Sequence, residues 1–148
     1  MINQQKSVPA PDEAAVQTAA SRTASDAAID YDSLMQTNLA RVFGERDAEQ
    51  RIKAIRKLYA EDAVLYEPQA SVKGHAAISE AVTELLASLP RDFVFSAAGR
   101  AVGHHGAGRL QWCSGPPDGK VVVTGTDVAF FEGGLIHALY VFLDPIGA

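Results

Sequence analysis

Hydrophobic positions recur with a helical period through the first half of the chain and with strand-like alternation through the second. From Asp26 onward Ile29, Leu34, Met35, Leu39, Val42 and Phe43 fall at spacings compatible with 3.6 residues per turn. They predict a helix ending near Gly44. A second, shorter helix is predicted over 48–59, with Ile52, Ile55, Leu58 and Tyr59 as its apolar stripe and Arg51, Lys53, Arg56 and Lys57 on a solvated face. Residues 62–66 read as a short strand stopped by Pro68, and 69–74 as a connection. A third helix is predicted over 75–89, with Ile78, Val82, Leu85 and Leu86 on one face and Pro90 beyond its end. Strands follow over 92–98 and 108–113, joined by a glycine-rich return through Gly103, His104, His105 and Gly106, and 114–119 reads as a turn. In the last run, 120–144, two segments of β-branched, aromatic and aliphatic residues flank Glu132-Gly133-Gly134, the pattern of a hairpin. Helices first and long strands last is an α+β order, in which one antiparallel sheet lays its apolar face against the helices.

Residues 1–25 are rich in Ala, Gln, Ser, Pro and Asp and carry few large apolar side chains, so they read as a flexible N-terminal arm. That leaves 26–148 as a single domain, since 148 residues at 47% hydrophobic content suffice for one core and hardly for two. A formal charge of -5 with interspersed signs provides no basic footprint for nucleic acid or an anionic membrane. Cys113 is the sole cysteine, which excludes an intrachain disulfide, a thiolate metal cluster and a CxxC redox pair. His75, His104, His105 and His137 form neither HxH nor HExxH, so no metal is expected. The glycines at 103, 106 and 108 do not follow a strand and open a helix, as a dinucleotide cradle requires; no cofactor is expected. No apolar stretch approaches about 18 residues and no signal-like run opens the chain, so a cytoplasmic location is expected.

One residue breaks the strand pattern. Asp127 stands among Val, Ala and Phe residues, where an ionised carboxylate is costly unless it is paired or hydrogen-bonded, and where keeping its proton is the least expensive escape. It either faces solvent on the open side of the sheet or lies in a cavity.

Three segments resemble a known family: Leu58-Tyr59-Ala60-Glu61-Asp62-Ala63-Val64-Leu65-Tyr66-Glu67-Pro68; Gly74 with Ala77-Ile78; and Thr124-Gly125-Thr126-Asp127-Val128-Ala129-Phe130-Phe131 followed by Gly134-Leu135-Ile136. Over about 31–144 the chain is similar to the NTF2-like superfamily, in particular its SnoaL-like and ketosteroid-isomerase-like domains. The resemblance implies a cone-shaped α+β fold, with N-terminal helices packed against a curved mixed or antiparallel β-sheet. It also implies a homodimer through the outer face of the C-terminal strands. The superfamily includes isomerases, cyclases, hydrolases, dehydratases and noncatalytic binding domains, so the fold alone selects none of them.

Residue by residue, the carboxylate before the proline is the general base of ketosteroid isomerases, and Glu67 matches it. The carboxyl of the penultimate strand, kept protonated to donate to the developing enolate oxygen, matches Asp127; SnoaL-like cyclases use the same strand position as acid/base. A supporting tyrosine matches Tyr59, which would orient Asp127 through a hydrogen bond. The tyrosine that donates directly to the oxyanion falls near Leu39 and the other supporting one at Val82, so this chain lacks both. One oxyanion donor in place of two costs about 3–4 kcal/mol of transition-state stabilisation. Trp112, Tyr140 and Phe142 are the expected substrate-binding walls, the resemblance turning Tyr140 and Phe142 inward with Ala138 and leaving His137 on the other face. Two carboxyls in one apolar cavity can divide their roles, one neutral and donating, the other charged and accepting. The implied function is a small cofactor-independent enzyme acting on a hydrophobic carbonyl compound, most like a ketosteroid-isomerase-like isomerase. A SnoaL-like polyketide cyclase or epoxide hydrolase, or a noncatalytic hydrophobic-ligand-binding domain, are the alternatives.

Overall fold

The structure, a computed structural model, describes residues 28–145. Residues 1–25, expected to form an arm, lie outside the described residues. Helix α1 (Tyr31–Asn38) begins where the Asp30 carboxylate accepts the Ser33 backbone N–H at 3.0 Å, satisfying one of the donors a helix start leaves free. It widens into a π-helical turn (Leu39–Phe43), closed by Gly44 N–H donating to the Leu39 carbonyl five residues back at 2.8 Å. The single helix expected up to Gly44 is therefore an α segment with a π-helical end. Helix α2 (Ala48–Leu58) is capped by Asp47, which accepts from Glu49 N–H at 2.9 Å, and α3 (His75–Ala87) follows Gly74.

The strands are β1 (Tyr59–Glu67), β2 (Ala70–Lys73), β3 (Val94–Ala97), β4 (Val102–His104), β5 (Ala107–Gly115), β6 (Val123–Glu132) and β7 (Leu135–Leu143). They form one sheet in the order β2-β1-β7-β6-β5-β3, with β4 also paired to β5. β1 and β7 run parallel and the other pairs antiparallel, so the sheet is mixed. Ile55, Leu65, Ile78, Val82, Leu110 and Leu139 are buried where the helices meet its inner face. No helix among the described residues is long and apolar enough to cross a membrane.

The expected cone-shaped, curved sheet needs correction: the sheet is open and neither curls nor closes. Its path ends at β2 and β3, which do not pair with each other. Both edge strands are only four residues long, and they lie against α3 and the π-helical turn respectively. Short, covered edges satisfy the sheet without closure. Two strands also form where loops were expected, β2 in the connection after Pro68 and β4 in the glycine-rich return. The second has a packing reason: a Cβ at Gly103 would lie 2.4 Å from Tyr31 Cδ1, so glycine lets α1 approach the sheet.

Arg51, expected on a solvated face, is 1% exposed. Its Nε donates to Ser79 Oγ at 3.2 Å, its Nη1 to the Glu45 carbonyl at 2.9 Å and its Nη2 to Thr83 Oγ1, tying α2 to α3. Burial holds its pKa below the usual guanidinium value, with the nearby Glu45 and Asp47 opposing. Arg51→Ala removes three donations and opens a gap between the helices. The expected loss in urea denaturation is about 2–4 kcal/mol, and a loss within experimental error would contradict this tie.

Candidate active site

The inner face of the sheet carries a row of residues that brings two carboxyl groups to one cavity. Asp127 pairs with Leu110 on β5 and with Val141 on β7; one step past the Tyr66–Tyr140 pair, Glu67 comes beside Val141. Two strand spacings therefore separate the backbones of Glu67 and Asp127, about 10 Å, which leaves room for a small molecule between them. Side-chain alternation puts Ala63, Leu65 and Glu67 on the inner face and Tyr66 on the outer one. The cavity beneath this row encloses about 200 Å³, and both Glu67 and Asp127 line it. Its other walls are largely apolar: Leu39 and Phe43 from the π-helical turn, Leu85 from α3, and Phe95 and Trp112 from the sheet.

Asp127 is 3% exposed, and its Oδ1 accepts from Trp112 Nε1 at 2.9 Å. Burial pushes its pKa up to about 7, the indole N–H pulling in the opposite direction. A neutral Asp127 accepts from Trp112 through one oxygen and has its O–H to offer to a ligand. The indole is itself held in place: Phe95 packs edge-on with ring centroids 5.5 Å apart, and a Cβ at Gly125 would sit 2.4 Å from Trp112 Cζ2. Glu67 is half-buried at the mouth, its pKa raised by desolvation and then by the neighbouring Glu84.

Three expected positions differ. Tyr59 is buried, but its hydroxyl donates to Asn38 Oδ1 at 2.5 Å rather than to Asp127; burial and the charge of Asp127 raise its pKa well above that of a free phenol. Trp112 makes the hydrogen bond to Asp127 that Tyr59 was expected to make. Tyr140 and Phe142 lie on the outer face, not in the cavity, where Tyr140 stacks on Tyr66 at 4.4 Å. The register shifts between Phe130 and Phe131, which pair with Ala138 and Ile136, so His137 is an extra residue in β7. That bulge reverses the alternation beyond it and turns Leu139, Val141 and Leu143 inward. Among the residues the sequence did not single out, Ser114 also lines the cavity. Its parity with Trp112 on β5 was the available signal, obscured because the strand was expected to stop at Cys113.

Stability should report the state of Asp127. Its folded pKa, about 7, lies above the ordinary 3.8, so the neutral acid favours folding; the contribution is complete below about pH 4 and is lost as pH rises to about 7. Across that interval the wild type should lose on the order of 4 kcal/mol relative to Asp127→Asn in denaturant titrations. Trp112→Phe removes a bond that favours the charged form, so the interval should extend to higher pH. Parallel pH profiles for wild type and Asp127→Asn would contradict both statements.

A family model for the SnoaL-like domain matches residues 39–139. A proposed isomerase of the SnoaL-like family from Agrobacterium tumefaciens is similar in structure, with 29% identity, a TM-score of 0.72 and coverage of 78% of this chain and 97% of that one. A proposed ketosteroid isomerase from Kribbella flavida shares the fold at 17% identity and a TM-score of 0.61, covering 80% of each chain. A proposed polyketide cyclase from Sinorhizobium meliloti does so at 15% identity and a TM-score of 0.58, covering 74% of this chain and 93% of that one. No curated protein sequence matches significantly. The match over residues 39–139 spans more than half of the chain: the chain belongs to the SnoaL-like domain family.

Proposed function

We propose that the cavity is the active site of a cofactor-independent enzyme that moves a proton on a hydrophobic carbonyl compound, as an isomerase does. The observation that carries this reading is the shared inner-face row, which sets a buried, proton-holding Asp127 opposite a half-buried Glu67 at the mouth. In the proposed step the Glu67 carboxylate takes a proton from the carbon beside the carbonyl. The C–H electron pair forms the enolate double bond while the carbonyl π pair moves onto oxygen. Asp127 donates a hydrogen bond to that oxygen from the side not engaged by Trp112. In a β,γ-unsaturated carbonyl compound the oxygen pair then re-forms the carbonyl, the enolate double bond shifts to the α,β position, and the former β,γ π pair takes the proton back from Glu67 at the γ carbon, so the double bond has moved into conjugation. The raised pKa of Glu67 makes it a stronger base than an exposed glutamate. Apolar walls exclude water, which strengthens the hydrogen bond from Asp127. Leu39 lines the cavity in place of a second donor, so this oxyanion site rests on Asp127 and turnover is correspondingly modest.

The outer face carries the proposed assembly. Tyr66, Tyr140, Phe142 and Phe130 form a continuous aromatic group, with Phe142 54% and Phe130 43% exposed. An apolar patch of this kind on the broad face of a sheet suits a second copy of the chain. Sedimentation at micromolar concentration should show a dimer that Phe142→Asp converts to monomer; a monomeric wild type would overturn it.

Catalysis is tested by screening enones, polyketide-like ketones and epoxides for turnover. Glu67→Gln should then lower turnover by at least about 100-fold with little change in ligand affinity. Unchanged turnover would remove Glu67 from the mechanism, and ligand binding without turnover of any such compound would favour a noncatalytic binding domain.

A further inference from the structure

Among the described residues, Ser114 Oγ is the buried side-chain polar atom without a hydrogen-bond partner. Its residue is 3% exposed, and it faces the same cavity as Asp127 and Glu67. A buried hydroxyl left unpaired is unfavourable, and alanine at this strand position would avoid the penalty. Ser114 pairs with Phe95 on β3 and with Val123 on β6, and both of these also line the cavity. The hydroxyl is therefore set into an apolar wall.

Its distance from Asp127 decides what it can do. Asp127 pairs with Leu110, four residues before Ser114 on β5, so the two positions lie about 13 Å apart along the strand direction, with Trp112 between them. That span is too long for Ser114 to be a second donor to the oxygen held by Asp127. The cavity instead has the two carboxyl groups, Asp127 and Glu67, at one level of the sheet and the Ser114 hydroxyl at another, with aromatic and aliphatic walls between. The two positions are also one strand spacing apart across the sheet, which makes their separation about 14 Å; two hydrogen bonds of about 2.8 Å then leave about 8 Å between the ligand oxygens they would hold.

We infer that Ser114 is a substrate-binding residue whose hydroxyl engages a second oxygen of the ligand. The site then takes a flat apolar compound with a carbonyl at the Asp127 end and a hydroxyl or carbonyl oxygen about 8 Å away. A serine hydroxyl both donates and accepts, so it suits either function. This inference rests on the proposed reading of the cavity as the active site and adds a substrate class to it.

Two naphthols test it without a known substrate: 2-naphthol has one oxygen, for the Asp127 end, whereas 2,6-dihydroxynaphthalene carries a second at about the required separation. By calorimetry the diol should bind wild type roughly 3- to 10-fold more tightly than 2-naphthol, beyond the statistical advantage of its two equivalent ends. In Ser114→Ala that preference should vanish while 2-naphthol affinity stays the same, and thermal stability should hold or rise because an unpaired hydroxyl has been removed. If Ser114→Ala leaves the diol preference intact, weakens both naphthols equally or unfolds at much lower temperature, the assignment of Ser114 is wrong and the active-site reading stands. If neither naphthol binds wild type, both the Ser114 inference and the reading beneath it fall.

Discussion

A carboxyl group that must live out of water sets the terms for the rest of this fold. Asp127 sits on a central strand, and the indole N–H of Trp112 is the partner that makes its burial tolerable. That bond needs the indole to lie flat across β6, which is why Gly125, with no Cβ to obstruct it, stands opposite Trp112. Phe95 from the edge strand packs edge-on against the same ring and helps to fix it. One hydrogen bond does not restore the hydration of a charged carboxylate, so the acid keeps its proton over most of the acid range. The chemistry proposed for the site begins from that residual cost.

The π-helical turn and the β-bulge shape the space around this group. The turn places Leu39 and Phe43 over the cavity, closing it with apolar surface. The bulge at His137 divides β7 between two duties, sending Leu139 and Val141 into the core and cavity and Tyr140 and Phe142 to the opposite surface. Without the extra residue the aromatic rings would fill the cavity and the aliphatic side chains would face outward. A single local irregularity therefore creates both the pocket volume and the aromatic outer face.

Local regularities were legible in the sequence; long-range pairings were less so. The helices of Ile55 and Ile78 could be read from their spacing, and Asp127 stood out because a carboxylate is costly in a β-branched run. Glu67 drew attention through the motif it shares with a family, since a glutamate before proline is otherwise ordinary. Arg51 looked solvated because its neutral partners Ser79 and Thr83 lie 28 and 32 residues away. Tyr59 likewise finds Asn38 across 21 residues, which no periodicity encodes. The faces of Tyr140 and Phe142 were misassigned because strand parity assumes an unbroken ladder and His137 interrupts it. Ser114 was hidden in a Ser-Gly-Pro-Pro stretch whose composition signals a turn, although β5 continues to Gly115. Sheet openness depends on how the four-residue edges are covered, which is a tertiary property.

Everything proposed for the cavity depends on Asp127 being a neutral hydrogen-bond donor up to about pH 7. Infrared difference spectroscopy of wild type against Asp127→Asn, recorded at about pH 6, observes that state directly, because a protonated carboxyl and a carboxylate absorb at well-separated frequencies. With a pKa of about 7, the wild type should show a protonated-carboxyl band that is absent from the variant and fades as the pH is raised past 7. A difference spectrum containing only carboxylate bands at pH 6 would mean that Asp127 is ionised in the folded protein, and would contradict the account.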